Sequence, residues 1–261
     1  MPTAIGRLKM SIKNLSLRMR SKLILLFLLF GVVPALGLFG LFVSSDKEIK
    51  EKFSGEIAAN ATRTMRAIDA NMFERYGDVQ AFALNTAATE SANWDRPSPD
   101  NPLVRAMNGY MTGYALYRLM MLVAPDGKVL AVNTVDSAGK PIDTAGLYNQ
   151  NFADAPWLKD ALAGKFLQGR NGLTGTTISA PAQQPLLAKI YGDDGYGMAI
   201  SAPVKDAAGK TVGVWVNFTG FTFIEHVLDE VYQDVAKRGN VNAEFTLLDA
   251  SGVVTRSWDR S

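Results

Sequence analysis

One stretch of 21 residues, Leu23 to Val43, carries no charge and is rich in Leu and Phe. As a helix rising about 1.5 Å per residue it spans about 31 Å, which matches the hydrocarbon core of a bilayer. Glycines and Pro34 interrupt it, but membrane helices tolerate such residues better than soluble ones do. A cleaved signal peptide is the alternative; its apolar region is normally about 7–15 residues long, and Phe42-Val43-Ser44 is a poor cleavage site. The pattern therefore predicts an uncleaved transmembrane helix over residues 23–43.

The charges on the two sides of this segment differ. Residues 1–22 hold six of the 27 basic residues and no acidic one, which leaves 21 basic and 25 acidic residues in the remainder, a net charge of −4. Short loops rich in Lys and Arg stay in the cytoplasm. We therefore expect residues 1–22 to be cytoplasmic and residues 44–261 to lie outside the cytoplasm.

A single apolar stripe at helical spacing follows the uncharged segment. Its members are Ile49, Phe53, Ile57, Ala61, Met65, Ile68, Met72, Tyr76, Val79 and Phe82. The mean step of about 3.67 residues predicts a helix from Ser45 to about Ser91, with two helices broken near Gly77 as the alternative. Three prolines between residues 93 and 102 end it, so residues 44–102 form a long helix and a linker. Such a stripe must be covered by a domain, by a second copy of the chain, or by both, which leads us to expect a homodimer.

Helices and hairpins alternate beyond residue 102. The predicted helices cover residues 103–117, with Tyr110, Tyr114 and Tyr117 at helical spacing, 155–163 and 222–237. The predicted hairpins pair 119–123 with 129–132, around Pro125-Asp126-Gly127, and 197–204 with 211–219. The run from Val212 to Val216 is expected to be a buried central strand. The predicted fold class is α+β, with a transmembrane helix, a long extracytoplasmic helix and an antiparallel-sheet module.

The end of the chain repeats an earlier pattern. Residues 247–254 align with residues 122–129 at an offset of 125, and both have apolar residues flanking a turn with Gly. A second, similar module is therefore expected to begin within residues 241–261, after a connecting helix at 221–240. We expect the chain to be truncated within that module.

Composition excludes several classes of protein. The sequence has no Cys, one His and a net charge of +2, so it offers no thiolate chemistry, no Cys-bound zinc and no charge excess for nucleic-acid binding. His226 lies in a predicted helix and cannot alone form a metal site or a catalytic triad. Phosphate loops and nucleophile elbows are absent from the sequence. We therefore predict no enzyme activity, no cofactor, no metal and no nucleic-acid partner.

Three segments resemble a known family. Leu15 to Leu23, followed by the Leu/Phe-rich span, resembles the start of a methyl-accepting chemotaxis receptor. Asn151 to Lys165 is similar to the pocket-side helix, and Ser201 to Val214 to the last hairpin of the membrane-distal module, in bacterial transmembrane sensors with double Cache domains. The resemblance implies two stacked PAS-like modules beside a long helix, with the membrane-distal module at residues 103–220 and a small-molecule ligand in its pocket.

The amino-acid-sensing branch of this family supplies a ligand motif. Arg-x-Trp-Tyr-x-Asp on the pocket-side helix and a later Asp hold the ligand's carboxylate and amine, and an Arg pairs bidentately with a carboxylate. The matching positions here are Ala155, Trp157, Leu158 and Asp160, with Gln184 near the later Asp. Because the Arg and the Tyr are replaced, the resemblance implies that a free α-amino acid is not held in that manner.

Six residues are the candidate ligand contacts: Tyr148, Gln150, Trp157, Asp160, Gln184 and Tyr191. An aromatic wall and a few oriented polar groups are typical of small-molecule sites. Each has a structural alternative: core packing for Trp157, a solvated helix position for Asp160, and surface loops for Gln150 and Gln184. Residues 191–197 are predicted to be a flexible connection rather than a Ca²⁺ loop, because the regular spacing of oxygen ligands is missing.

The resemblance implies a chemoreceptor that binds a small molecule outside the cytoplasm and signals across the bilayer to chemotaxis proteins. The same sensor type also precedes histidine kinases and diguanylate cyclases, so these outputs remain alternatives. A membrane-anchored binding module without signalling output is a third possibility.

Overall fold

The computed structural model describes residues 19–169, 172–239, 242–248, 252 and 254–258. Four of the six N-terminal basic residues, and the turn of the predicted C-terminal hairpin except Gly252, lie outside this part of the chain. The chain divides into two compact units, Met1–Ala61 and Thr62–Ser261.

The uncharged segment is helical throughout. Helix α1 covers Met19–Phe27, a π-helical turn covers Leu28–Val32, and helix α2 covers Val33–Ala83. The π-turn ends two residues before Pro34, whose missing N–H and ring disturb the regular hydrogen-bond ladder of the preceding turn. The helical stretch has a window of mean hydropathy 2.6 with none of it buried, so its length and composition suffice to cross a membrane.

The predicted single long helix is confirmed, because α2 continues through Gly77 without a break. It ends at Ala83 rather than near Ser91, and 3₁₀ turns at Thr86–Ala88 and Ser91–Asn93 follow. The apolar stripe has two parts. Ile49 is 62% exposed, whereas Val79 and Phe82 are at most 2% exposed. The second part of the stripe therefore packs into the core of the Thr62–Ser261 unit.

Helix α3 covers Pro102–Tyr114, and local chemistry fixes both of its ends. The Asn101 side chain accepts a hydrogen bond from the Leu103 N–H at 3.0 Å, with Pro102 in the first turn. At the other end Ala115 has φ 54°, a left-handed conformation that stops the helix. The prediction that this helix extends to residue 117 is therefore wrong, and Tyr117 begins a strand.

The elements that follow α3 in the chain form a sheet with helices on both faces. The strands are β1 Tyr117–Val123, β2 Val129–Val132, β3 Thr177–Ile178, β4 Ala182–Gln183, β5 Tyr196–Lys205 and β6 Thr211–Gly220. The helices are a 3₁₀ segment Ala145–Asn149, α4 Pro156–Leu162, α5 Pro185–Tyr191 and α6 Thr222–Lys237. The sheet is antiparallel in the order β2-β1-β6-β5-β3, with β4 also paired to β5. As predicted, β6 is a central strand.

Side chains alternate between the two faces of the sheet. Met120 and Trp215 face a cluster that α2 and α3 complete, including Phe82, whose ring stacks on Tyr110 at 4.1 Å. Leu119 and Val216 and their neighbours face a second cluster that α4, α5 and the 3₁₀ segment cover. The sequence analysis did not predict α5, β3 or β4.

Helix α6 has the predicted bounds of residues 222–237. Its apolar face, with Ile224 3% exposed and Leu228 2% exposed, packs against Ile68 of α2 and Met198 of β5. Beyond it, β7 Phe245–Leu248 and β8 Val254–Trp258 form a separate two-stranded antiparallel sheet.

We predict that Gly127→Ala destabilises the fold more than the matched turn variant Gly209→Ala. Both glycines have left-handed φ values, 90° and 79°. A Cβ at residue 127 would overlap the backbone of Ala153 and the side chain of Asn151. A Cβ at residue 209 would have no atom of another residue, apart from its chain neighbours, within 4 Å. Gly209→Ala should cost about 1 kcal/mol of backbone strain and Gly127→Ala about 3 kcal/mol.

Melting curves of the full chain in detergent micelles, followed by tryptophan fluorescence, would measure the difference. Equal melting temperatures for the two variants would contradict the close approach of the 127 turn to residues 151–153.

Candidate functional site

A cavity of about 420 Å³ lies where the start of β1, the turn before β5 and the start of α6 meet. We call it the α6-side cavity. Its lining is Ala115, Leu116, Tyr117, Arg118, Asp136, Ser137, Tyr191, Asp193, Asp194, Tyr196, Gly220, Phe221, Glu225 and His226. Its volume falls in the range of small-molecule sites, and its lining combines aromatic rings with five charged residues, four of which are acidic.

Arg118 is the one Arg or Lys among the described lining residues of this cavity. Its side chain is 19% exposed, and its Nη2 lies 2.6 Å from Oδ2 of Asp193. The guanidinium lies 4.3 Å from the ring centroid of Tyr191, whose hydroxyl donates to the Arg118 carbonyl at 2.5 Å. Cation–π contact and a charge-assisted hydrogen bond together hold the guanidinium in one position.

The electrostatics of the cavity follow from these contacts. Burial raises the pKa of Tyr191 to about 12; Arg118 opposes the rise, and Asp136 and Asp193 add to it. Burial alone would raise the pKa of Asp193, but hydrogen bonds from the Gly195 N–H and from Arg118 hold that pKa below its usual value. Since the folded pKa is lowered, the stabilisation is complete above the unfolded pKa of about 3.9 and is lost as the pH falls through the folded value. The pair is therefore formed at neutral pH.

A second, smaller cavity of about 120 Å³ lies between the 3₁₀ segment and α5. Gln150 lines it together with Asp143, Leu147 and Lys189. This volume is below the usual range for small-molecule sites.

Two of the six predicted residues contact other parts of the protein and line neither cavity. Trp157 is 6% exposed and packs between Phe152 and Phe218, with ring centroids 5.9 and 6.0 Å away. Asp160 pairs with Lys165 at 3.0 Å, and their side chains are 36% and 72% exposed. The structure thus gives Trp157 a place in the core and Asp160 a place in a solvated ion pair.

The other predicted residues lie in or next to α5 and the 3₁₀ segment. Gln184 precedes α5 as its N-cap residue, and its N–H donates to the Gly195 carbonyl at 3.0 Å. Tyr148 packs against the second cluster, and its buried hydroxyl has no hydrogen-bond partner among the described residues. Burial raises the pKa of Tyr148; the Val132 backbone, which lies near the hydroxyl without forming a hydrogen bond of good geometry, opposes the rise, and Asp95 adds to it. Tyr191 alone of the six lines the α6-side cavity, so the structure does not bring the set together around one pocket.

Sequence reasoning missed Arg118, Asp136 and Glu225 as cavity residues. They come from three separate segments that only the fold brings together. A charged residue at the start of the apolar run Tyr117–Val123 was the available sign for Arg118.

Within the described residues, no three His, Asp or Glu side chains converge as metal ligands would. Comparison of the sequence with protein-family models finds no match, and comparison with curated proteins finds none either.

Solved structures do match the fold. The histidine kinase DctB sensor domain of V. cholerae is 15% identical, with a TM-score of 0.51 over 78% of this chain and 66% of that one. The ligand-binding domain of the Campylobacter jejuni chemoreceptor Tlp3, in complex with L-valine, is 12% identical, with a TM-score of 0.52 over 74% and 66%. The isoleucine-bound Tlp3 sensory domain is 10% identical, with a TM-score of 0.50 over the same shares.

The chain therefore has the fold of the sensor domains of bacterial receptors, in agreement with its resemblance to Cache domains. It spans about two thirds of the length of each matched domain. Chemoreceptors and a histidine kinase share this fold, so the fold alone does not separate the two outputs.

We predict that two Tyr→Phe variants differ in their effect on stability. Tyr191→Phe removes a hydrogen bond to Arg118 and should cost about 1 kcal/mol, which lowers the melting temperature by about 2–4 °C. Tyr148→Phe removes a buried hydroxyl that has no partner, so stability should be unchanged or raised by up to about 1 kcal/mol.

Melting temperatures of the full chain in micelles give both values under the same conditions. A clear loss of stability in Tyr148→Phe would show that its hydroxyl has a partner, such as an ordered water.

Proposed function

We propose that the chain is the N-terminal, ligand-sensing part of a bacterial chemoreceptor, anchored in the inner membrane with residues 44–261 outside the cytoplasm. The observation that carries this proposal is that α2, which begins within the apolar segment, packs from Ile68 onward against the sensor-type sheet. A change in how that sheet holds α2 has a direct covalent route to the membrane.

The proposal includes a membrane-distal module at residues 103–220, a connecting helix at 221–240 and the start of a second module at 241–261. The two hairpins supply support, because the register shifts between Leu122 and Val123 in one and between Leu247 and Leu248 in the other. These positions correspond at the offset of 125, so the sequence repeat includes the same irregularity in strand pairing.

The ligand in this proposal is a small polar molecule bound in the α6-side cavity. The volume of about 420 Å³ and the ordered Arg118 support this site. The second cluster, around the predicted pocket residue Trp157 and its buried neighbour Leu158, is occupied by the protein's own side chains.

We predict that L-valine and L-isoleucine, present in the matched Tlp3 structures, do not raise the melting temperature of this chain. Ala155 replaces the Arg of the motif, Leu158 is fully buried in place of the Tyr, and Gln184 stands near the position of the later Asp. These positions offer a carboxylate no bidentate guanidinium, and the Arg118 guanidinium in the α6-side cavity is already paired with Asp193.

Thermal shifts of the full chain in lipid nanodiscs, with each amino acid added up to about 10 mM, would test this. That concentration is high enough to detect dissociation constants on the order of 1 mM. A saturable shift would overturn the prediction.

A screen of small polar molecules on the same preparation tests the ligand site itself. Binding at the α6-side cavity should be lost in Arg118→Met and retained in Lys159→Met, which removes an exposed ion pair elsewhere. Retained binding in Arg118→Met, with loss on substitution of Trp157, would move the site to the α4 side of the sheet.

The proposed output is a chemotaxis pathway, and a histidine kinase is the second candidate because DctB shares the fold. The reading frame beyond codon 261 separates them. A second membrane span and a long heptad-repeat hairpin would support a chemoreceptor, and a kinase or cyclase domain would replace that output. An immediate stop codon would favour an anchored binding module.

We also propose a homodimer, since Ile49, Phe53 and Ile57 form an exposed apolar stripe, each more than half exposed. Cross-linking of the full chain in membranes through single cysteines along this stripe would detect it. Cross-links with a helical period of about 3.6 residues are expected, and their absence would contradict the dimer.

A further inference from the structure

Two consecutive residues at the start of β1 contact different parts of the module. Tyr117 is 1% exposed and donates its hydroxyl to Oδ2 of Asp78 on α2 at 2.5 Å. Arg118 pairs with Asp193 and lies over Tyr191 in the α6-side cavity. One dipeptide therefore joins the long helix to the cavity.

The strand is irregular at this dipeptide. Tyr117 is opposite Thr219 and Leu119 is opposite Phe218, so Arg118 is the extra residue of a β-bulge. A bulge interrupts the ladder of hydrogen bonds and re-aims the side chain at its centre. The dipeptide can thus shift with less disturbance of the sheet than a regularly paired strand would allow.

The contact on α2 is buried and charged. Arg75 is 5% exposed, and its Nε donates to the same Oδ2 of Asp78 at 2.9 Å, while its Nη2 lies 2.9 Å from Oε2 of Glu74. Burial, and then the hydrogen bond to Asp78, raise the pKa of Tyr117 far above its usual value, so the hydroxyl remains a donor at neutral pH. Breaking this contact would leave the Asp78 carboxylate with one donor fewer beside Arg75 and the buried Tyr117 hydroxyl without this partner, which is unfavourable in a site with little water.

Helix α2 is also attached to the segment before β3. Gln80 donates to Oγ1 of Thr176 at 2.8 Å, and Tyr76 donates to the Leu167 carbonyl at 3.0 Å. These contacts do not involve β1. The hydrogen bond from Tyr117 to Asp78 joins α2 to the strand that contributes Arg118 to the cavity.

We propose that the Tyr117–Arg118 bulge couples the occupancy of the α6-side cavity to the position of α2. A ligand that competes for Arg118 or Asp193 changes the aim of Arg118, and the adjacent Tyr117 passes this change to Asp78. A ligand can shift α2 only by binding its two positions with different affinity. The proposal deepens the proposed function by naming the residues that connect the binding site to the long helix.

Amide hydrogen exchange along α2, measured on the full chain in nanodiscs without any ligand, tests the coupling. Arg118→Met disturbs the cavity side alone, and we expect exchange around residues 75–83 to accelerate about threefold or more. Lys159→Met removes an exposed ion pair of the same charge type outside the cavity, and it should leave α2 unchanged. If Arg118→Met does not fold, Asp193→Asn gives a milder disturbance of the same pair, at a side chain that is 49% exposed.

The decisive measurement repeats the cavity variant in a Tyr117→Phe background, which lacks the hydroxyl. The coupling predicts that Arg118→Met then adds no further acceleration in α2. Equal acceleration in both backgrounds, or none in either, would overturn it. Because no ligand is used, a failed ligand screen beside a positive exchange result would refute the proposed function and leave the coupling in place.

Discussion

The central strands of the sheet bury both of their faces, and the rest of the module follows from that constraint. From Leu119 to Val123 and from Val214 to Val216 every residue is fully buried. A strand of this kind needs an apolar layer on each side. Helices α2 and α3 provide one layer, while α4, α5 and the 3₁₀ segment provide the other.

Apolar burial alone does not fix where a long helix sits along a sheet, since a displacement by one turn preserves the stripe. Buried polar groups select one position. Asp78 accepts a hydrogen bond from Tyr117 of β1. Thr176, just before β3, donates its Oγ1 hydroxyl to the Tyr76 carbonyl at 2.9 Å, so two positions along α2 are each fixed by a specific partner. Truncating one partner of such a contact leaves the other buried and unsatisfied, which penalises alternative positions.

Local patterns predicted most of the architecture, because a long apolar run or a long stripe at helical spacing identifies a buried strand or a packed helix without knowledge of its neighbours. The errors occurred where tertiary structure overrides a local pattern. The spacing of Tyr110, Tyr114 and Tyr117 favours one helix, but a left-handed Ala115 ends it and the third tyrosine starts β1. Helix α5 was not predicted; like α4 it has only seven residues, so periodicity carried little information about either helix.

The candidate site was less predictable than the fold, because its residues come from segments distant in sequence. Only Tyr191 of the six candidates lines the α6-side cavity, and Gln150 lines the smaller one. Trp157 matches the family motif, but identity at a motif position does not keep a pocket open: here its ring fills the space beside Phe218.

The free energy that a ligand needs to enter therefore differs between the two sides of the sheet. A ligand entering the α4 side would have to displace Trp157 or Leu158, and exposing one such side chain costs about 1.5–3 kcal/mol. A tenfold weaker affinity corresponds to about 1.4 kcal/mol, so this displacement alone would weaken binding roughly tenfold to a hundredfold. The α6-side cavity requires no such displacement, and its Arg118 is already held in place by Asp193 and Tyr191. A ligand in this cavity exchanges one polar partner of Arg118 or Asp193 for another and exposes no buried apolar side chain, which favours the cavity over the filled α4 side as the place where a ligand acts on the helix.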